Sequence, residues 1–315
     1  MRKLRKDAER APVSNIVIIL LLVVGFASFP IKDTIGFFGL EYTGANRYLF
    51  TAAFRLLFLA VMVYFLFTYR FQKSLNFRFR RFYAVIPCYL VVINNFPIVA
   101  LATGQAQVNA SAGMWALYLL QTLCITAFEE VAFRGIIFPL CYLKLKKHKR
   151  AVFWAVALSS ALFGAVHLVN LLGGAGLAPT LLQVGYSFLI GAMCAVAMLL
   201  SESLFVPISL HFIFNAGGLL VEELGSGNIL NLPTVILTVV IGVAVGTYLF
   251  YVAFGAKNDS MEKLIAYGEE AVSENAEANE TAAQNEGKTE DGLQRAQKSG
   301  AKMPAEDDSS DGNGE

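Results

Sequence analysis

Long apolar runs, separated by short polar segments, set the pattern of this chain. Most runs approach the roughly 20 residues that an α-helix needs to cross a bilayer. Eight spans are predicted, at residues 16–29, 49–69, 82–102, 111–142, 152–172, 180–200, 204–220 and 234–254. The pattern therefore predicts an all-α fold, a polytopic membrane helix bundle of about eight transmembrane helices.

Composition supports a membrane protein. Hydrophobic residues make up 56% of the 315-residue chain and charged residues only 16%, against about 25% charged in an average soluble domain. The four cysteines lie in apolar segments without metal-site spacing, so we interpret them as small buried hydrophobic residues.

Charge is distributed unevenly along the chain. Residues 256–315 hold six basic and fifteen acidic side chains, whereas residues 1–255 hold nineteen and nine. We therefore divide the chain into a basic N-terminal segment (1–15), a helical membrane domain (16–255, with its motifs within 112–217) and an acidic tail (256–315). The tail should be disordered, apart from a short helix near residues 261–271.

Basic loops predict the orientation in the membrane. Residues 1–15, 70–81 and 144–150 are rich in Lys and Arg, and the loops 103–111 and 170–179 carry no charge. With a retained first span and eight spans in all, the basic segments fall on one side. The positive-inside rule then places both termini in the cytoplasm of a multi-pass cell-membrane protein.

Three ionisable residues interrupt the fourth apolar run. Glu129, Glu130 and Arg134 lie between Met114 and Tyr142, and charges inside a membrane span mark a candidate functional site. Glu130 and Arg134 are one helical turn apart and should pair, while Glu129 points about 100° away and is left free for chemistry. The alternative is a purely structural ion cluster.

Two later spans carry further polar residues at helical spacing. His167 follows Phe163 by four positions, and Asn215 follows His211 by four, so each pair shares a helix face. Each polar group needs a partner in a medium without water, and one hydrated cavity would satisfy all of them. Counting from the basic hairpin puts Glu129 and His167 at the same depth. His211 reaches that depth only if the hairpin projects well beyond the bilayer.

These groups suit hydrolysis by activated water. No Ser or Cys lies at a nucleophile's spacing from a His, so covalent catalysis is not indicated. A carboxylate and an imidazole can together deprotonate water, and a His–Asn pair can stabilise an oxyanion.

The ordered motifs resemble those of the CPBP family of CAAX-processing and bacteriocin-processing intramembrane proteases. The resemblance rests on Glu129-Glu130-x-x-x-Arg134, Phe163-x-x-x-His167 and His211-x-x-x-Asn215, within residues 112–217. It implies a glutamic endopeptidase in which Glu129 activates water with help from His167. It also implies that His211 and Asn215 form the oxyanion hole and that Glu130, Arg134 and Phe163 support the site.

The resemblance implies no cofactor and no nucleic-acid partner. The implied substrate is a membrane-associated protein or peptide at the lipid bilayer. Eukaryotic relatives remove the last three residues of prenylated proteins, and some bacterial relatives are linked to bacteriocin maturation or self-immunity. Both CAAX-type and bacteriocin-type processing stay open.

Two other functions compete with this interpretation. Two Glu and two His could bind Zn²⁺, although no His-Glu-x-x-His motif is present. A proton-coupled transporter or a non-catalytic membrane scaffold would also keep ionisable residues in its spans. The absence of an internal sequence repeat disfavours a transporter.

Overall fold

The computed structural model describes residues 11–77, 79–229 and 231–265. Helices form 79% of these residues, which confirms the predicted all-α membrane bundle. They are α1 Pro12–Ala27, α2 Ile31–Phe37, α3 Gly44–Thr68, α4 Ile86–Asn94, α5 Ile98–Ala102, α6 Ala112–Glu130, α7 Phe138–Leu145, α8 Ala151–Val166, α9 Leu177–Ser201, α10 Phe205–Gly218, α11 Leu220–Leu224, α12 Leu232–Gly255 and α13 Asn258–Ile265. Short 3₁₀ helices lie at Gln72–Ser74, Phe82–Val85 and His167–Leu171, and a π-helical segment lies at Val131–Ile137.

Four of the described helices are long and apolar enough to cross a membrane. These are α3, α8 with its 3₁₀ extension, α9 and α12; α1 and α2 would add a fifth if the pair, bent by 55°, is one span. Length and composition thus account for fewer spans than the eight predicted, and the number eight stays a prediction.

Local chemistry explains the difference. The run 82–102 is divided into a 3₁₀ turn, α4 and α5, because Pro97 follows a break at Asn95 and Phe96. The Asn95 side chain donates a hydrogen bond to the carbonyl of Phe214, 2.7 Å away. The run 204–220 forms only the 14 residues of α10 before a second short helix.

One continuous helical column occupies the centre of the bundle. It consists of α6, the π-helical segment and α7, and every residue from Val131 to Leu143 is buried. Helices α1, α3, α8 and α10 surround it. The cysteines at 88, 124, 141 and 194 are buried and unpaired, which confirms that they act as small core residues.

The turn between α9 and α10 lies inside the protein. Ser201, Ser203 and Leu204 have no exposed surface. Residues of the basic 70–81 segment cover this turn, since the Arg80 amide donates to the Ser201 carbonyl at 3.1 Å and the Leu204 amide to the Ser74 carbonyl at 2.8 Å. This turn is therefore recessed relative to the exposed basic hairpin.

A small sheet that the sequence pattern did not predict lies at the opposite end. Strand β1, Ala106–Val108, pairs antiparallel with β2, Gly225–Gly227. A Cβ atom at Gly225 would lie 2.1 Å from the carbonyl oxygen of Gln107, so only glycine permits this approach. Three-residue strands lack the alternation by which strands are recognised in a sequence.

The described part of the acidic tail forms helix α13, which overlaps the short helix predicted near residues 261–271. Helix α13 buries Met261, Leu264 and Ile265, which lie on one face at positions i, i+3 and i+4. Tyr142 donates a hydrogen bond to Glu262 at 3.2 Å. The predictions for residues 1–10 and 266–315 concern positions outside the described residues.

Helices α8 and α9 approach closely at Gly164. A Cβ atom there would lie 2.7 Å from the backbone carbonyl of Val184, which cannot move aside like a flexible side chain. Small residues allow such backbone approach between membrane helices.

We predict that Gly164→Ala lowers the melting temperature in detergent. Alanine has a higher helix propensity by about 1 kcal/mol, but overpacking of this type costs about 1–3 kcal/mol. The matched control is Gly185→Ala on α9, where an added Cβ meets nothing within 4 Å; its melting temperature should stay unchanged or rise. Equal behaviour of the two variants would contradict the close approach.

Candidate active site

The two adjacent glutamates end α6 and precede the π-helical segment. Glu130 is fully buried, whereas the side chain of Glu129 retains 21% exposure. Arg134 lies within the π-helical segment, a type of helix that often occurs at functional sites. The column thus directs one glutamate into the core and leaves the other accessible.

Glu130 is at the centre of a buried ionic cluster. Its Oε1 atom accepts a hydrogen bond from Arg134 Nη1 at 2.8 Å and lies 2.8 Å from His211 Nδ1. The guanidinium of Arg134 lies 4.4 Å from the centroid of the Phe163 ring. This cluster joins the central column to α10 through His211 and to α8 through Phe163.

The contact with Glu130 determines the proton position on His211. A carboxylate that binds Arg134 only accepts hydrogen bonds, so the network assigns the proton to Nδ1. In the neutral ring the Nε2 atom is then an acceptor, 3.2 Å from Asn215 Nδ2 and 3.6 Å from Glu129 Oε2. His211 can donate from Nε2 only when it is protonated at both nitrogens.

Glu129, His167, His211 and Asn215 line one cavity of about 260 Å³. Glu129 and His167 interact electrostatically, and between described residues we find no direct hydrogen bond from either side chain. Both remain available to a molecule in the cavity. The structure therefore brings together all four residues for which a catalytic role was predicted.

The recessed turn before α10 explains how His211 reaches this depth. His211 lies six residues after Phe205, whereas Glu130 lies fifteen residues before Leu145. At 1.5 Å per residue these segments span roughly 9 Å and 22 Å. The two segments differ in length because they begin at different levels. Ser201 and Leu204, at the start of the shorter segment, are buried inside the bundle, whereas the basic hairpin extends beyond them.

Other polar residues of this cavity were not identified from the sequence. Asn170 donates a hydrogen bond to Gln183 at 2.7 Å, and Tyr186 lies one turn further along α9. Asn170 follows His167 by three positions, and Gln183 and Tyr186 are also three apart. This helical spacing is the sequence signal that could have identified these residues as polar neighbours on one helix face.

Arg55 also lines the cavity, and its electrostatic partner there is Glu129. The predicted span begins at residue 49, but α3 begins at Gly44. Arg55 therefore lies about 16 Å along the helix from its first residue.

The end of α10 that carries Asn215 is held from two sides. The Tyr118 hydroxyl donates to the carbonyls of Ala216 and Asn215, at 2.8 and 3.3 Å. Asn95 donates to the preceding carbonyl, that of Phe214. These side chains add hydrogen bonds to carbonyls of the last turn, where the Asn215 carbonyl also accepts from the Leu219 amide at 3.0 Å, and they hold the backbone that carries Asn215.

The alternative that Zn²⁺ binds at this site concerns two Glu and two His side chains. Within the described ranges no group of three or more His, Cys, Asp and Glu side chains is placed to hold a metal ion. The alternative set of two Glu and two His is divided, because Glu130 is bound to Arg134 and to His211 Nδ1.

The fold and the cavity define a class of protein, a polytopic helical membrane protein with an intramembrane carboxylate–imidazole–amide site. Residues 111–217 match the model of one family, described as type II CAAX prenyl endopeptidase Rce1-like. The chain is similar to this family over that segment, about a third of its length, which includes every residue of the predicted site. No curated protein and no solved structure matches the chain.

We predict that Glu130→Ala strongly destabilises the fold and that Glu129→Ala does not. Removal of Glu130 leaves Arg134 buried without a counter-ion, a change that costs about 3–5 kcal/mol. Glu129 is part-exposed, and its nearest charged partner atom lies 3.6 Å away, so its loss should cost about 0.5 kcal/mol or less. Thermal unfolding of both variants in detergent measures how much each of the two neighbouring carboxylates contributes to stability. A similar loss of stability in both would contradict their different roles.

Proposed function

We propose that this protein is an intramembrane endopeptidase that hydrolyses a peptide bond with water activated by Glu129. The observation that carries the proposal is the shared cavity of Glu129, His167, His211 and Asn215. It is supported by the separate ionic cluster, which neutralises Glu130 and leaves Glu129 accessible.

In this mechanism the water lies between Glu129 and His167. The Glu129 carboxylate accepts a proton, and the resulting hydroxide attacks the carbonyl carbon of the substrate. His167 orients the water through a ring nitrogen. The C–N bond then breaks and the proton passes to the departing amine.

Asn215 is the first donor to the oxyanion. Its amide contacts Nε2 of neutral His211 in the resting site and can turn toward a substrate oxygen. His211 contributes while Nε2 holds the proton that Glu129, 3.6 Å away, has taken from the water. Both donors would then face the charge that develops in the transition state. The same proton returns through Glu129 to the departing amine when the C–N bond breaks.

An apolar groove beside the site favours a membrane-associated substrate. Its volume is about 1020 Å³, and Tyr186, Phe214 and Asn215 line both the groove and the polar cavity. Its other wall comes from α12, which shows much apolar surface. The family description favours CAAX-type processing. Bacteriocin-type processing and the cytoplasmic placement of both termini stay predictions.

We predict that Glu129→Ala, His167→Ala and Asn215→Ala abolish cleavage while the fold is retained. Loss of a general base reduces rates by about 10²–10⁴-fold, and loss of an oxyanion donor by about 10²–10³-fold. Comparative proteomics of membrane peptides from cells with wild-type or variant protein measures the effect.

The matched control is Glu202→Ala, since Glu202 pairs with Arg80 outside the cavity. It should leave the peptide profile unchanged. Full activity of Glu129→Ala would refute the mechanism. Solute flux into proteoliposomes that depends on Glu129, without any peptide cleavage, would instead identify a transporter.

We also predict that the protein keeps its peptide-cleavage activity in the presence of metal chelators. Glu129 and His167 act on water directly in this proposal, so EDTA or 1,10-phenanthroline should not reduce the rate. Elemental analysis of the purified protein should find less than one zinc per chain. Loss of activity with a chelator and its recovery with Zn²⁺ would favour the metalloprotease alternative.

A further inference from the structure

Two side chains of opposite charge line the candidate active-site cavity, Arg55 from α3 and Glu129 from α6. Among the described residues of the cavity wall there is no other Lys, Arg, Asp or Glu. The two groups interact electrostatically. Because a charge inside a membrane span is unfavourable without a partner, Arg55 is the group that can balance the charge of Glu129 within the cavity.

The two arginines of the site relate to the two adjacent glutamates in different ways. Arg134 donates a hydrogen bond of 2.8 Å to Glu130, so a carboxylate oxygen of Glu130 is occupied. Within the described ranges, no ion pair of 4.0 Å or less joins Arg55 to a carboxylate. A counter-ion outside hydrogen-bonding range balances the charge of Glu129 and leaves its oxygens free to bind water.

Contacts with two helices hold the guanidinium of Arg55 in place. Nη1 donates a hydrogen bond of 3.3 Å to the carbonyl of Phe26 in the last turn of α1, where the partial negative charge of a helix end favours a cation. The guanidinium carbon lies 5.6 Å from the centroid of the Phe128 ring, within the range of a cation–π contact. Neither contact neutralises the positive charge, which therefore acts on Glu129.

We propose that Arg55 is a positioning residue that supplies the positive charge by which Glu129 stays a carboxylate and acts as the base. This inference rests on the proposed endopeptidase function and adds a residue to it. A carboxylate without a counter-ion in an enclosed site favours its uncharged form, which cannot accept a proton from water. Arg55 does not touch the reacting atoms, so its loss should lower kcat and leave KM nearly unchanged.

The first measurement determines the charge state of Glu129 without any substrate. Dicyclohexylcarbodiimide is an apolar reagent that modifies protonated carboxyl groups, and mass spectrometry of the protein in liposomes at neutral pH gives the rate of labelling at each glutamate. Because loss of a nearby opposite charge changes an ionisation equilibrium by about tenfold or more, we expect Glu129 to be labelled about tenfold faster in Arg55→Gln than in the wild-type protein. Glu129→Gln should remove this label and thereby identify the modified position.

Two further variants and a matched control separate charge from shape. Arg55→Met, a second neutral variant, should behave like Arg55→Gln, and Arg55→Lys should be labelled at nearly the wild-type rate because the charge remains. The control is Arg47→Gln on the same helix, where the arginine pairs with Glu223 and neither residue lines the cavity. It should be labelled like the wild-type protein. Melting temperatures in detergent identify the variants that fold.

The second measurement is the cleavage of lipid-anchored peptides in proteoliposomes, with a peptide that the wild-type protein cleaves chosen from a library. Arg55→Gln and Arg55→Met should lower kcat by about tenfold, in step with the labelling, and should change KM by less than about twofold. Arg55→Lys should keep most of the wild-type kcat, and Arg47→Gln should keep all of it.

Other outcomes overturn the proposal in distinct ways. Equal labelling of Glu129 in the wild-type protein and in the neutral variants refutes the role of Arg55 as its counter-ion. A loss of kcat in Arg55→Lys as large as in Arg55→Gln shows that the shape of the guanidinium matters and not its charge. A rise in KM at unchanged kcat moves Arg55 to substrate binding. Absence of any cleavage by the wild-type protein refutes the proposed endopeptidase, whereas the labelling still decides whether Arg55 balances Glu129.

Discussion

A buried ionic cluster holds the centre of this bundle together. Glu130, Arg134 and His211 are almost fully enclosed, and hydrogen bonds of 2.8 Å join Glu130 to the other two. A charge left alone in such surroundings is strongly unfavourable. The helices that carry these residues must therefore keep one register, and Phe163 adds α8 through its contact with the guanidinium.

The accessibility of Glu129 follows from this constraint. Neighbouring residues on a helix point in different directions, so the inward orientation of Glu130 turns Glu129 toward the cavity. The proton on His211 is also determined by Glu130, which leaves Nε2 facing Glu129 and Asn215. One structural carboxylate thus arranges the groups that the proposed chemistry would use.

The surrounding structure keeps these groups at a common depth. The recessed turn before α10 brings His211 to the level of Glu129, and side chains from two other segments hold the end of α10. Glycines permit this packing: a Cβ at Gly217 would lie 2.6 Å from the Phe96 ring, and one at Gly218 would lie 2.4 Å from Asn95. The polar cavity and the apolar groove meet along α9 and α10, which suits a substrate with both peptide and lipid-like parts.

The sequence by itself determined the class of fold and the set of polar residues at the candidate site. Apolar runs of membrane length and charges within them are local properties, visible without a structure. Helical spacing also predicted the Glu130–Arg134 pair. Only the tertiary structure decided the β1–β2 pairing and the packing of helix α13 against the core. Each of these depends on contacts between segments distant in the chain. The same holds for Arg55, because whether an arginine faces lipid or a cavity depends on which helices surround it.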